Sequence, residues 1–522
     1  MIQIKTQSSS LLQCAITIVL VALLSSCATT SFRDYPKVES TAIQITQDTF
    51  LGKRVAPYTE QHPDKSAFFL LENGIEALAA RLVLAEKAES SIDLQYYILH
   101  ADITGYLFVN SLLKAADRGV RVRILLDDIT TEGYDAGMAA LESHPNIEIR
   151  IFNPFSKRSV RLFSFITDFG RVNHRMHNKS FTVDNLFTIV GGRNIGAEYF
   201  AADEDVNFGD LDVIGVGPVV KEASLSFDEY WNSDAAIPVL ALVEKVDGPG
   251  PLNERRNRMA EIEAEATETP YGEALEISYE NLIGRGSEYI WATSRVIADS
   301  PGKIANNADS LNPKTLRSQL GPEVRATQEN LFVVSPYFVP RDKGVELFTK
   351  LRESGVDVTI ITNSLASNDV PAVHAGYSSY REELLNLGVE IWEVRADSDT
   401  SRTARQKRKL GYSQSSLHAK SFSIDDRYVF IGSFNWDPRS VEINTELGIY
   451  IDSPELTAQV KYVFMKNLTE TAYKLRLDAN GKLEWVANEY GKEVVYHKEP
   501  DTSLWMRTKM RLFKILPFED QL

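Results

Sequence analysis

Cysteine is nearly missing from this chain: Cys14 and Cys27 are the only two among 522 residues. That excludes a disulfide scaffold and a cysteine-built zinc site. Excess positive charge is missing too. Lys and Arg number 56 against 72 Asp and Glu, a formal net charge of −16. Such a surface repels polyphosphates, which argues against a nuclease or other nucleic-acid binder. No long apolar run is present either. The most apolar stretch, Cys14 to Leu24, is eleven residues, well short of the ~20 a spanning helix needs. What remains is 43% hydrophobic, ordinary for a globular protein with sizeable cores. With 522 residues, more than one domain or a duplicated unit is expected.

The N-terminus reads as a processed segment. One early Lys5, the apolar run and small residues before Cys27 form a secretory signal over 1–26. Leu24-Ser-Ser-Cys27 resembles the lipobox of bacterial lipoproteins. The resemblance implies a lipid on Cys27 and an exported, membrane-anchored protein of the cell envelope. Ala28 after that cysteine favours the outer membrane under the sorting rule of Gram-negative lipoproteins. Residues 27–65 are polar and weakly patterned, and read as a tether. Ordered structure is expected from Ser66, where apolar residues in "SAFFLLENGIEALAARLVLAEKA" recur at helical spacing.

An internal repeat organises the rest. "SIDLQYYIL", "GYLFVNSLLKAADRG" and "VRVRILLDD" are echoed by "NLFVVSPYFV", "KGVELFTKLRESG" and "VDVTIITNS". Each reads strand, glycine-closed helix, strand. The expected units are 66–239 and 311–522, with 240–310 as a linker or insertion, part helix and part loop, between them.

Each copy ends in the same motif. "HNKSFTVDNLFTIVGGRN" runs from His177 to Asn194, and "HAKSFSIDDRYVFIGSFN" from His418 to Asn435. Strand alternation puts each histidine and its lysine on one side: His177 with Lys179, His418 with Lys420. A turn at Asp184 or Asp425 then folds a hairpin that returns Asn194, or Ser433 and Asn435, towards the histidine. The first copy has Gly192 where the second has Ser433, so the halves are not equivalent. One such motif among eight histidines is a mild surprise. Two, inside repeated units, are hard to attribute to chance.

This donor set suits a phosphodiester. Lysines and asparagines can hold its non-bridging oxygens and the charge of a five-coordinate transition state. A neutral imidazole can attack phosphorus, while a second, protonated one serves the leaving alkoxide. No metal or cofactor is needed, because the lysines bring the positive charge.

These motifs resemble the HKD signature of the phospholipase D superfamily, over residue 66 to the C-terminus. The resemblance implies an α/β fold: two duplicated phospholipase D-like units, each a mixed sheet flanked by helices, related by a pseudo-twofold axis around one site. It implies His177 as nucleophile and His418 as general acid and then base. Lys179, Lys420, Asn194, Asn435 and Ser433 would hold the phosphate, and Asp184 and Asp425 would orient the motifs. Within the superfamily, "RMHNKSFTVDNLFTIVGGRNIGAEYF" and "GSFNWDPRSVEINTELG" are similar to bacterial cardiolipin synthases. That branch moves a phosphatidyl group to phosphatidylglycerol from a second phosphatidylglycerol or, in one sub-branch, from phosphatidylethanolamine. A phospholipase D-type hydrolase would use the same residues with water as acceptor. Glu446, in "NTE", reads as an acid behind His177 or His418, or as a surface residue. Leu162, Phe163, Phe165 and Ile166 read as core or as an acyl-chain guide, the basic run 401–409 as a solvated loop or an attractor of anionic headgroups, and the basic amphipathic tail "SLWMRTKMRLFKILPF" as a helix that packs on the body or lies on a membrane surface.

Overall fold

The computed structural model of the chain describes residues 35–521 apart from 45–47, 157, 159–160, 204–205, 244–247, 285–288, 305–313, 397–414, 490 and 515–520. Cys27, the signal segment and the basic run 401–409 lie outside the described residues, as do the side chains of Leu162 and Phe163.

The two repeats fold into two mixed sheets joined edge to edge. At the junction Ser66–Leu71 pairs antiparallel with Ile290–Ala298, Ala67 opposite Trp291. Outward from this seam the halves run in step. Asp212–Val216 and Leu447–Asp452 come first, then Phe187–Gly191 and Tyr428–Gly432, then Ser180–Val183 and Ser421–Ile424. Ser91–Tyr96 and Asn330–Val334 follow. Each leads parallel into Arg121–Asp127 or Asp357–Asn363 and then Ile147–Phe152 or Glu390–Val394. Parallel neighbours demand crossover helices. These are Ile103–Asp117 and Arg341–Glu353, each followed by a glycine at positive φ, Gly119 (98°) and Gly355 (85°), where an L side chain would be strained.

Each unit has its own apolar core. A third core joins them, with Phe68, Val190 and Val213 of the first unit packed among Ile431, Ile449 and Ala419 of the second. The shared core fixes the halves against each other, which one site built from both requires.

Three expectations are corrected. Ser66–Leu71 is a strand, and the helix starts only at Gly74, capped by Asn73. A short apolar run has no periodicity to separate the two, and here it forms the strand at the seam. Residues 240–310 are not merely a linker. Helices Gly250–Thr267 and Pro270–Gly284 pack on the first unit, with Leu252 and Met259 in its core, and Ile290–Ala298 is the second unit's seam strand. The tether is also shorter than 27–65. Backbone carbonyls of Val38, Ser40 and Thr41 accept hydrogen bonds from Arg150, Arg123 and Arg121, and Leu51 and Val55 of helix Phe50–Thr59 are buried.

Candidate active site

Two crossed strand contacts build the site. Ser415–Leu417, just before His418, pairs parallel with Asn207–Gly209, just before Asp210. Met176, just before His177, bridges in parallel to Thr445, just before Glu446. The His418 N–H donates to Gly209 O at 2.8 Å and the His177 N–H to Thr445 O at 2.9 Å. Each histidine is thus set against a carboxylate of the other unit. His418 Nδ1 lies 2.6 Å from Asp210 Oδ2, and His177 Nδ1 lies 2.9 Å from Glu446 Oε2. With Nδ1 held by a carboxylate, Nε2 of each ring is the nitrogen that no carboxylate engages.

The lysines close over the histidines. Lys179 Nζ donates to His177 O at 2.6 Å, and Lys420 Nζ to His418 O at 2.5 Å. Lys420 Nζ also lies 3.2 Å from His418 Nε2. Both histidines are deeply set, 7% and 6% exposed. Aromatic rings wall them. Tyr97 meets His177 edge-on at 5.0 Å, Tyr199 meets His418 edge-on at 5.1 Å, and Phe208 stacks on His418 at 5.1 Å.

Burial and crowded charge set the protonation states. Burial lowers Lys179 to about 7, helped by Lys420, and lowers Lys420 to about 8 against the pull of Asp210. Burial and the charges of Lys179, Lys420 and His418 hold His177 well below its usual value. Burial raises Glu446 to about 7. Asp210 goes the other way: burial pushes it up, but the His418 and Lys420 charges outweigh this and keep it ionised. Every one of these groups perturbs others across the unit boundary, so they form one electrostatic cluster. An arriving phosphodiester anion raises the lysine and histidine pKa values by supplying the missing counter-charge.

The remaining predicted residues divide. Asp184 caps the amide run Glu89–Ser91, with Oδ1 accepting from Ser90 N at 2.8 Å and Ser91 N at 3.0 Å. Asp425 does the same for Gln328–Asn330, accepting from Glu329 N at 2.7 Å. Each begins a turn whose central pair has positive φ, Asp184-Asn185 and Asp425-Asp426, as a type I′ hairpin needs. Their carboxylates are taken up by these backbone amides rather than by either histidine, and they act as clamps on the hairpins. Ser433 donates to Glu446 and accepts from Leu447 N at 3.0 Å, so it positions the acid. Asn194 is likewise engaged, by Ile98 N at 3.2 Å and Tyr199 Oη at 2.9 Å. Asn435 Oδ1 is buried without a partner, the one motif amide oxygen left open.

Asp210 is the residue that the sequence reading missed. Asp210-Leu211 opens the strand after the first hairpin just as Glu446-Leu447 opens the strand after the second. The offset, 33 positions beyond His177 against 28 beyond His418, hides the match. The pairs Gly192/Asp210 and Ser433/Glu446 are compensated. A Cβ on Gly192 would stand 2.1 Å from Asp210 Oδ1, so the shorter acid needs the glycine and the longer acid takes the serine.

Two α/β units sharing one site made of paired H-x-K motifs define a phospholipase D (PLD)-like protein. The chain belongs to the family described as cardiolipin synthase, PLD-like domain, whose model matches residues 82–231 and 322–468. It is 43% identical over 473 residues to cardiolipin synthase C of Escherichia coli (strain K12), spanning 90% of this chain and 99% of that one. Cardiolipin synthase of Clostridium perfringens (strain SM101 / Type A) is 26% identical over 388 residues, 73% of this chain and 66% of that one. Among solved structures, phosphatidylserine synthase of Haemophilus influenzae Rd KW20 shares the fold, with a TM-score of 0.53 at 15% identity over 81% of this chain and 92% of that one.

Proposed function

We propose that this protein is a phosphatidyltransferase that makes cardiolipin from two phospholipids through a phosphohistidine. His177 Nε2 attacks the donor phosphorus, and the bond from phosphorus to the headgroup oxygen breaks. His418 gives its Nε2 proton to the departing alkoxide, and the headgroup alcohol leaves. The acceptor lipid's headgroup hydroxyl then passes its proton to His418 and attacks phosphorus. The P–N bond breaks, and His177 is regenerated. Lys179 and Lys420 hold the non-bridging oxygens throughout, with Asn435 beside them.

The observation that carries this reading is the crossed pair of carboxylates, because they differ in charge. Burial and the Lys420 charge lower His418 below its usual value, and ionised Asp210 opposes them, so Asp210 is the group that lets His418 hold a proton once the phosphodiester arrives. Glu446, raised to about 7, leaves His177 neutral and nucleophilic. The ring of Tyr97, Tyr199 and Phe208 around nearly buried histidines favours an alcohol acceptor over water. Phosphatidylglycerol as acceptor, with phosphatidylglycerol or phosphatidylethanolamine as donor, is what the resemblance of the two motif stretches to bacterial cardiolipin synthases implies. The N-terminal pattern supports export and lipid anchoring through Cys27, at the outer membrane by the Ala28 rule. No helix among the described residues is long and apolar enough to cross a membrane.

Purified protein incubated with phosphatidylglycerol, alone and with phosphatidylethanolamine, tests this by mass spectrometry of the lipids. Cardiolipin with released glycerol or ethanolamine is expected. Phosphatidic acid as the main product would make the protein a phospholipase D-type hydrolase instead.

A further inference from the structure

The C-terminal helix Leu504–Phe513 has two apolar faces, and the body covers only one. Met506, Met510 and Phe513, at i, i+4 and i+7, pack towards Leu365 and Ala375. On the opposite side Leu504, Thr508 and Leu512 form an i, i+4, i+8 row with Trp505 beside it. Leu504 is 73%, Trp505 72% and Leu512 57% exposed. At about 100° per residue, this outward stripe spans roughly a quarter of the circumference, and exposed Lys509 and Arg511 border it on either side. A helix needs no large outward apolar side chains to dock on its own protein. An apolar stripe edged by cations is the pattern of a helix lying in a bilayer interface, its tryptophan and leucines among the acyl chains and its cations at the phosphates.

A short series of contacts links the helix to the strand that leads into His418. Leu365, under Met510, closely follows the carboxyl end of strand Asp357–Asn363. Ser367 O in the same loop accepts from Ser416 Oγ at 2.7 Å, two residues before His418. Asp369 Oδ2 there accepts from Tyr337 Oη at 2.7 Å. Further along the chain, Gln521 Oε1 accepts from Asn173 Nδ2 at 2.7 Å, and Arg439 donates to Asn173 O at 2.7 Å. Exposed Phe169, whose O accepts from Asn173 N at 3.0 Å, lies one turn before Asn173, and Ile166, 75% exposed, belongs to the preceding helix Arg161–Thr167. Apolar side chains therefore project from both units close to residues that border the site.

We propose that Leu504, Trp505 and Leu512 form a docking face for an anionic phospholipid surface, with Lys509 and Arg511 on headgroup phosphates, and that Ile166 and Phe169 extend it across the mouth. This rests on the phospholipid reading above. A protein of net charge −16 is repelled by an anionic bilayer. The local cations and the inserted side chains overcome that repulsion and bring buried histidines to headgroup depth.

Trp505 provides its own probe. It is one of six tryptophans, and the one among them that is exposed. In phosphatidylglycerol vesicles carrying brominated acyl chains, full-length protein should lose Trp505 emission, and Trp505→Phe should abolish that quenching. This readout reports insertion of the helix whether or not another anchor holds the protein on the membrane. Leu504→Glu with Leu512→Glu should remove the quenching and lower turnover of vesicle lipid by about tenfold or more. Turnover of short-chain phosphatidylglycerol below its micelle concentration should be unchanged. Vesicle turnover by the wild type without quenching would overturn the proposal. A dimer that the double variant dissolves, with quenching intact, would assign the face to a second copy of this chain and overturn it also. Turnover of neither substrate, with quenching intact, would sink the enzymatic reading and leave the docking face standing.

Discussion

Replacing Gly192 by alanine removes no functional group, yet it should disable the second histidine. The new Cβ would lie 2.1 Å from Asp210 Oδ1 and 2.8 Å from both Cγ and Oδ2. Contacts that close cannot persist, and Gly192 is buried just past strand Phe187–Gly191, its N–H bonded to Leu211 O at 3.2 Å. The carboxylate must therefore move, and its 2.6 Å bond to His418 Nδ1 breaks. A charge-assisted hydrogen bond is worth about 1.5–3 kcal/mol, or about 10- to 200-fold in rate if it acts only in the transition state. We expect kcat to fall by about that factor with the fold retained, read by initial rates on phosphatidylglycerol micelles and by the melting temperature. Asp210→Asn should fall similarly. The double variant should be little worse than the poorer single one, because both act through one bond. Ser433→Ala, which opens space rather than closing it, should cost less. Wild-type kcat in Gly192→Ala, or multiplicative losses in the double variant, would refute this account of the asymmetry.

The pH profile of kcat/KM should be a narrow bell. Its alkaline limb should start below pH 6.5, where His418, lowered by burial, loses the proton the leaving group needs, and steepen between about pH 7 and 8 as Lys179 and Lys420 lose their charge. Its acid limb should lie lower still, where His177, held well below its usual value, gains a proton; rates level to pH 9 would contradict it. Lys179→Met should be inactive but more stable. A lysine lowered from 10.5 to about 7 destabilises the fold fully below pH 7, and the penalty fades as pH rises towards 10.5. Removing it should gain on the order of 2–4 kcal/mol at pH 7 after the lost hydrogen bond, read as a higher urea midpoint; a lower midpoint would count against the assigned burial cost. Asp184→Ala should lose about 2–4 kcal/mol of stability through its orphaned backbone amides while the folded fraction keeps most of its kcat. A collapse of kcat with unchanged stability would make Asp184 part of the chemistry.

The site was legible wherever function forces a residue type at a fixed spacing. His177-x-Lys179 and His418-x-Lys420 stand out because the hairpin that follows leaves no room for insertion. Asp210 was hidden because its loop differs in length from that of Glu446, and register across units is a tertiary property. Asn194 and Ser433 read as phosphate ligands because a motif shows a side chain's type but not its partner, and in the fold their hydrogen bonds go to Tyr199 and Glu446. The seam strands Ser66–Leu71 and Ile290–Ala298 were misread for a related reason. Their partners lie across the chain's midpoint; Ser66–Leu71 is a mostly buried strand with no polar face to give a period-2 signal, and Ile290–Ala298 alternates only around exposed Thr293 and Arg295, too briefly to mark a strand. The tail's two apolar faces were visible as amphipathic character, but only packing distinguishes the glued face from the free one.

The central claim is that His177 attacks phosphorus while His418 handles protons. It is tested most directly by quenching turnover of a phospholipid donor with a good leaving group in the His418→Asn variant, then mapping the acid-labile adduct by peptide mass spectrometry. The account predicts a phosphatidyl group on His177, formed once per chain and slow to leave. An adduct on another residue, or formation of the same adduct by a His177→Asn variant, would contradict it.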